Sequence, residues 1–114
     1  MDWKTDGRDW PNAAASRFVE AGGVRWHVQC AGDARRPTVL LLHGTGASTH
    51  SWRDLFPLLA AHLHVIAPDL PGHGFSGWPD DRSRFTLPGM ARGIGELMKA
   101  LGAEPRLIAG HSAG

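Results

Sequence analysis

The sequence predicts an α/β fold in which a β-hairpin is followed by parallel strands with flanking helices. Three observations carry that expectation. Short runs at 38–42, 64–67 and 106–109, apolar after a polar first residue, have the composition of strands covered on both faces. Segments with apolar residues at spacings of three and four lie between them, which is the period of an amphipathic helix. Each of the three runs also ends in a glycine-rich segment, after Leu42, Ala67 and Ala109. Strand, helix, strand, helix, strand is the order of right-handed crossovers in a parallel sheet. Such a sheet binds ligands at the carboxyl ends of its strands, the edge where all three glycine-rich segments fall.

Taken in order, residues 1–16 are an N-terminal arm. They mix charges with Trp3, Trp10 and Pro11 and show neither helical nor strand period. An extended arm whose tryptophans pack on the domain surface is expected, with a docking segment as the alternative. Residues 17–114 form part of a single domain. Arg17–Glu20 and Val24–Cys30 read as two strands joined at Ala21-Gly22-Gly23. In the second, Val24, Trp26 and Val28 alternate with Arg25, His27 and Gln29, predicting one buried and one wet face. Thr38–Leu42 is a central strand. A helix is expected from Thr49 or Ser51 through Leu59, with Trp52, Leu55, Phe56 and Leu59 on one face and Pro57 splitting it into two short turns. His64–Ala67 is a second interior strand, and residues 68–77 are a loop by their prolines and glycines. Leu87–Leu101 is a helix ended by Gly102. Arg106–Ala109 is a third interior strand.

Composition narrows the function. The 114 residues carry a net charge of +1, with 42% hydrophobic and 20% charged residues. This is the balance of a folded domain, and there is no basic excess for nucleic acid. One cysteine, Cys30, forms no internal disulfide and no cysteine cluster for metal. The acidic, tryptophan-containing N-terminus has no secretory apolar stretch. No apolar run approaches the ~20 residues a membrane helix needs. A cytoplasmic location is expected. Gly72-His73-Gly74 lacks the spacing and setting of a dinucleotide loop, and His50, His62 and His64 have no carboxylate or cysteine partner at metal spacing. No cofactor or metal is expected.

The chemistry is concentrated in Gly110-His111-Ser112-Ala113-Gly114, a small-x-Ser-x-small pattern after a strand. The pattern fits a nucleophile elbow, in which Gly110 and Gly114 leave room for a strained strand-to-helix turn that lifts the serine hydroxyl above the sheet. Alone it also fits a chance Gly/Ser loop; its place after a third strand favours catalysis. Ser112 is the candidate nucleophile. Acyl transfer also needs two donors for the developing oxyanion. The Ala113 amide, next to the nucleophile, is one candidate, and Thr45, in the loop after Leu42, is the position for the other. His43, Gly44 and Asp69 are expected to brace these loops rather than to act on the substrate, and His73 and Ser76 to belong to a tight turn. Phe75 and Trp78 sit in a loop at the same edge and are candidates for lining an acyl or ring pocket, or for covering the loop.

His43-Gly44-Thr45-Gly46, Asp69-Leu70-Pro71-Gly72-His73-Gly74-Phe75-Ser76 and the elbow together resemble the α/β-hydrolase superfamily in order and spacing. More narrowly, residues 17–29, 44–54, 87–92 and 110–114 resemble the α/β-hydrolase-type magnesium-chelatase accessory proteins of bacteriochlorophyll biosynthesis, and the arm with Pro11-Asn12 is similar too. The resemblance implies the N-terminal part of an α/β-hydrolase fold. In that superfamily an acid and then a histidine follow the serine. None is present after Ser112, so the catalytic acid and base are expected downstream, and the 114 residues alone are expected to be inactive. Two functions are compatible with the residues. One is a serine hydrolase of an ester, lactone or related carbonyl compound, either dedicated to bacteriochlorophyll formation or a general carboxylesterase. The other is a non-catalytic protein that holds a tetrapyrrole or assists the chelatase.

Overall fold

The computed structural model describes residues 2–79 and 82–110. A single helical turn α1 (Trp3–Asp6) and a 3-10 turn at Ala13–Ala15 lead into strands β1 (Ser16–Ala21), β2 (Val24–Ala31) and β3 (Thr38–Leu42). A 3-10 turn at Thr49–Trp52 and helix α2 (Leu55–Ala60) lead to β4 (His64–Pro68). A further 3-10 turn at Arg82–Phe85 and helix α3 (Leu87–Leu101) lead to β5 (Pro105–Gly110). The elbow residues His111, Ser112, Ala113 and Gly114 lie outside the described residues.

The five strands form one sheet in the order β1-β2-β4-β3-β5. β1 and β2 are an antiparallel hairpin, β2 runs antiparallel to β4, and β3 lies parallel to both β4 and β5. Gly22 and Gly23 close the hairpin with φ of 58° and 79°, the positive pair that a two-residue type I′ turn requires. The chain leaves β3 for β4 on one side and reaches β5 on the other, so strand order reverses at β3. This is the place where open α/β sheets bind ligands.

Both faces of the sheet are covered. Trp26, Val28, Leu40 and Ile66 pack with Leu97 and Met98 of α3 on one face. Val39, Leu41, Val65 and Ala67 pack with Phe56 of α2 on the other. Double cover explains why β3 and β4 read as unbroken apolar runs. β5 pairs with β3 alone among the described residues, and its Leu107 and Ile108 are exposed. Among the described residues it is the edge of the sheet.

α3 has the predicted bounds. Thr86 caps it by accepting from the Gly89 amide, Pro88 occupies the first turn, where no N–H is needed, and Gly102 ends it at φ 67°. The helix expected from Thr49 or Ser51 through Leu59 is instead a 3-10 turn and the separate α2. Its break falls at Arg53-Asp54, ahead of Pro57. Pro57 sits third in α2, where its missing N–H costs nothing. The arm is folded rather than extended. Asp2 accepts from the Lys4 amide to cap α1, and the two turns bring Trp3 and Trp10 onto the domain.

The wet face expected on β2 is the main correction. Arg25 is exposed, but His27 and Gln29 are 0% and 1% exposed. Alternation holds, since these residues point away from Val24, Trp26 and Val28. The arm and the loop after β4 cover that second face and supply its hydrogen-bond partners.

Candidate active site

Parallel register brings the chemistry-bearing loops together. Leu42, the last residue of β3, pairs with Gly110, the last residue of β5. The loop that opens with His43 therefore starts beside the strand end that leads to Ser112. β4, on the other side of β3, delivers Asp69 and Leu70 to the same edge.

The loop 43–48 hangs between two buried anchors. His43, fully buried, donates from Nδ1 to its neighbour Gly44 O at 2.7 Å and accepts at Nε2 from the Leu70 amide at 2.9 Å. The amide can only donate, which fixes the tautomer. Burial lowers the pKa of the imidazole and outweighs the hydrogen bond to Gly44 O and the field of Asp69, which raise it. The ring is thus neutral and spent on two backbone groups. At the far end Thr49 is 2% exposed. Its amide donates to Asp69 Oδ1 at 2.8 Å, and its hydroxyl accepts from Trp10 Nε1 at 3.0 Å. Between the anchors, the Ala47 amide closes a turn on Gly44 O, while Gly44 is buried and Thr45 exposed.

Asp69 is the hub. Its Oδ2 accepts from His27 Nδ1 at 2.6 Å and from the Phe75 amide at 2.9 Å, in addition to Thr49 on Oδ1. Burial pushes this carboxyl up, but those three donors together outweigh it and hold the group below the usual carboxylate range. A Cβ at Gly74 would run into the same carboxylate. Ser76 finishes the turn, donating to Asp69 O at 2.6 Å and accepting from the His27 amide at 2.9 Å. His73 hydrogen-bonds Pro71 O through Nδ1.

Sequence reading missed His27 and Gln29. His27 Nε2 meets Ser16 Oγ at 2.8 Å, so Ser16, His27 and Asp69 form a string in the order of a serine nucleophile with its base and acid. Here the base and acid of the string are sealed, while Ser16 is half-buried. The ring of His27 is packed by Trp3, Phe18 and Phe75. Gln29 Nε2 donates to Pro11 O, Asn12 O and Ser16 Oγ. These bonds fasten the arm to the sheet. Two polar side chains on a strand that faces a proline-containing arm were the available signal. Their partners lie 11 to 42 residues away, beyond any local pattern.

The other site residues are placed as follows. Phe75 is edge-on to Trp3 and to Trp10, and Trp78 is 74% exposed with its ring 5.9 Å from that of Phe85. Gly110 ends β5. Ser112, Ala113 and Gly114 are outside the described residues. Among the described residues, no three His, Cys, Asp or Glu side chains converge as a metal site, and no helix is long and apolar enough to cross a membrane.

A mixed sheet with helices on both faces and loops gathered at the carboxyl ends of β3 and β4 defines an open-sheet α/β protein. A sequence profile of the α/β hydrolase fold family matches residues 37–114, and the chain belongs to that family. It is 43% identical, over its whole length and 40% of the relative's, to a protein of Rhodobacter capsulatus named magnesium-chelatase 30 kDa subunit. It is 36% identical over 103 residues to epoxide hydrolase A of Mycobacterium tuberculosis, covering 90% of this chain and 32% of the relative. A crystal structure of a putative lipase from Acinetobacter baumannii superposes with a TM-score of 0.84 at 30% identity, over all of this chain and 39% of that one. The chain therefore spans less than half the length of each of these relatives.

Proposed function

We propose that the full-length polypeptide carrying this chain is a cytoplasmic serine hydrolase of a small-molecule ester or related carbonyl compound, with Ser112 as nucleophile. The observation that supports this reading best is the pairing of Leu42 with Gly110. It sets the start of the His43–Ser48 loop beside the strand end preceding Ser112, as oxyanion donors and nucleophile require. In the proposed reaction the Ser112 oxygen attacks the carbonyl carbon and its proton passes to a histidine supplied downstream. The carbonyl oxygen, now an anion, takes hydrogen bonds from the Thr45 and Ala113 amides. The alkoxide or its equivalent then leaves with that proton, and water releases the acyl group by the same steps. His43, Gly44 and Asp69 hold the loop, Gly110 and Gly114 permit the elbow, Phe75, packed by Trp3, Trp10 and His27, covers the loop, and the exposed Trp78 flanks the acyl side. No step calls for a cofactor.

Hydrolysis of p-nitrophenyl butyrate by the full-length protein and by Ser112→Ala tests the reading. The variant should lose at least about a thousandfold in kcat. Retention of wild-type turnover would refute Ser112 as nucleophile.

A second reading draws on the similarity to the Rhodobacter capsulatus protein, which extends through the arm. In it the cleft serves magnesium insertion in bacteriochlorophyll formation by holding a tetrapyrrole or associating with the chelatase, without catalysis. Pigment synthesis in a strain complemented with Ser112→Ala separates the two. Normal pigment would favour this second role, and loss of pigment the hydrolase.

A further inference from the structure

The arm makes its hydrogen bonds to two places, the second face of β2 and the segment that follows the loop 43–48. Trp10 Nε1 donates to Thr49 Oγ1, and Asn12 Nδ2 donates to Arg53 O at 3.1 Å, so the arm grips both ends of the 3-10 turn at Thr49–Trp52. Trp10 is itself fixed, its ring edge-on to Phe75 and to His50. Its neighbours Pro11 and Asn12 are held by Gln29, and Ser16 by His27. The domain side chains that hold the arm are buried: His27, Gln29 and Thr49 are each at most 2% exposed, whereas Arg53, whose carbonyl accepts from Asn12, is exposed. The family profile begins at residue 37, so the arm lies outside the part of the fold it describes. His43 anchors the near end of the loop by bonds within that shared part. The far end, at Thr49, is shared between Asp69 and the arm.

We infer that residues 2–15 are a positioning device for the loop 43–48, and that Trp10 is a positioning residue acting through Thr49. The loop spans six residues, and its internal turn is the single Ala47–Gly44 bond given above. Its placement therefore depends on its two ends. An oxyanion donor works only when its N–H is aimed at the place where charge develops, within a few tenths of an ångström. A second anchor on the far end narrows the loop's distribution about that aim. The catalytic consequence rests on the proposed hydrolase reading; the positioning does not.

The test uses the full-length protein with Trp10→Phe, which keeps the ring contacts and removes the N–H, and Thr49→Val, which removes the acceptor. Thr49→Ser restores the hydroxyl. Amide hydrogen exchange of residues 44–53 is read beside that of α3. A hydrogen bond of this kind is worth about fivefold in a local equilibrium. Trp10→Phe and Thr49→Val should each speed exchange in 44–53 by about that factor, with α3 unchanged, and Thr49→Ser should return it to wild type. With p-nitrophenyl butyrate, kcat should fall about five- to tenfold with KM little changed. Unaltered exchange in 44–53, or an equal rise throughout α3, overturns the inference. Faster loop exchange in a protein whose wild type has no ester turnover would leave the positioning intact and remove the hydrolase reading instead.

Discussion

Asp69 shows how one buried carboxylate can organise an edge of a sheet. It accepts from one imidazole and two backbone amides on three different segments. Removing its charge leaves donors pointing at donors, since an amide in its place would present N–H₂ where the Phe75 N–H and His27 Nδ1–H now arrive. Asp69→Asn should therefore destabilise the fold by about 3 kcal/mol, as breaking a buried pair does, measured by urea unfolding at pH 7. The pH dependence follows from two lowered groups. A carboxyl whose folded pKa is depressed stabilises above its unfolded value, about 3.9, and that contribution is lost as pH falls through the folded one. His43 is buried neutral, so its contribution is complete above about pH 6.5 and declines below that toward its depressed folded value. The urea midpoint should fall in two stages on acidification, the first beginning near pH 6.5 and the second below about pH 4. Asp69→Asn should abolish the second stage alone. A midpoint that rises between pH 7 and pH 5 would contradict the His43 assignment, and one that does not fall below pH 4 the Asp69 assignment.

At the scale of elements, α3 and β2 mark what a sequence can and cannot disclose. α3 was legible to its end residues because its signals are local, apolar positions in helical period and a terminal glycine, and the structure adds a threonine cap and a proline in the first turn. Two of its glycines make a matched test. A Cβ at Gly95 or at Gly102 would meet nothing within 4 Å, so space does not decide either substitution. Backbone angle does. Gly95 lies inside the helix, whereas Gly102 has φ of 67°. Gly95→Ala should stabilise by about 1 kcal/mol and Gly102→Ala should destabilise by about 1 kcal/mol in thermal unfolding. Equal signs would contradict this account of the cap. β2 was legible as a strand but not as a strand buried on both faces. Histidine and glutamine alternating with valine and tryptophan look like a solvated face unless their partners are known. The partners here are Ser16, Asp69 and the backbone of Pro11 and Asn12, joined by tertiary packing rather than by periodicity. The break before α2 was likewise misplaced, because Pro57 is as comfortable in a first turn as it is disruptive in a helix middle.

For the molecule as a whole, the order of elements and the placing of the segments after β3 and β4 at one edge were readable from alternation of periods and from turn residues. The strand order was not, since pairing β2 with β4, and β5 with β3, is set by which faces can be buried together. Of the candidate site, His43 and Asp69 are tied to each other's loops through Leu70 and Thr49. The Ser16–His27–Asp69 string sharpens the central question, because Ser16, a second serine besides Ser112, is hydrogen-bonded to a histidine that a carboxylate holds. Fluorophosphonate labelling of the full-length protein, with the modified peptide located by mass spectrometry, distinguishes them. If Ser112 is the nucleophile, a single adduct forms on it and is absent from Ser112→Ala. An adduct on Ser16, or unchanged labelling of Ser112→Ala, would contradict that assignment.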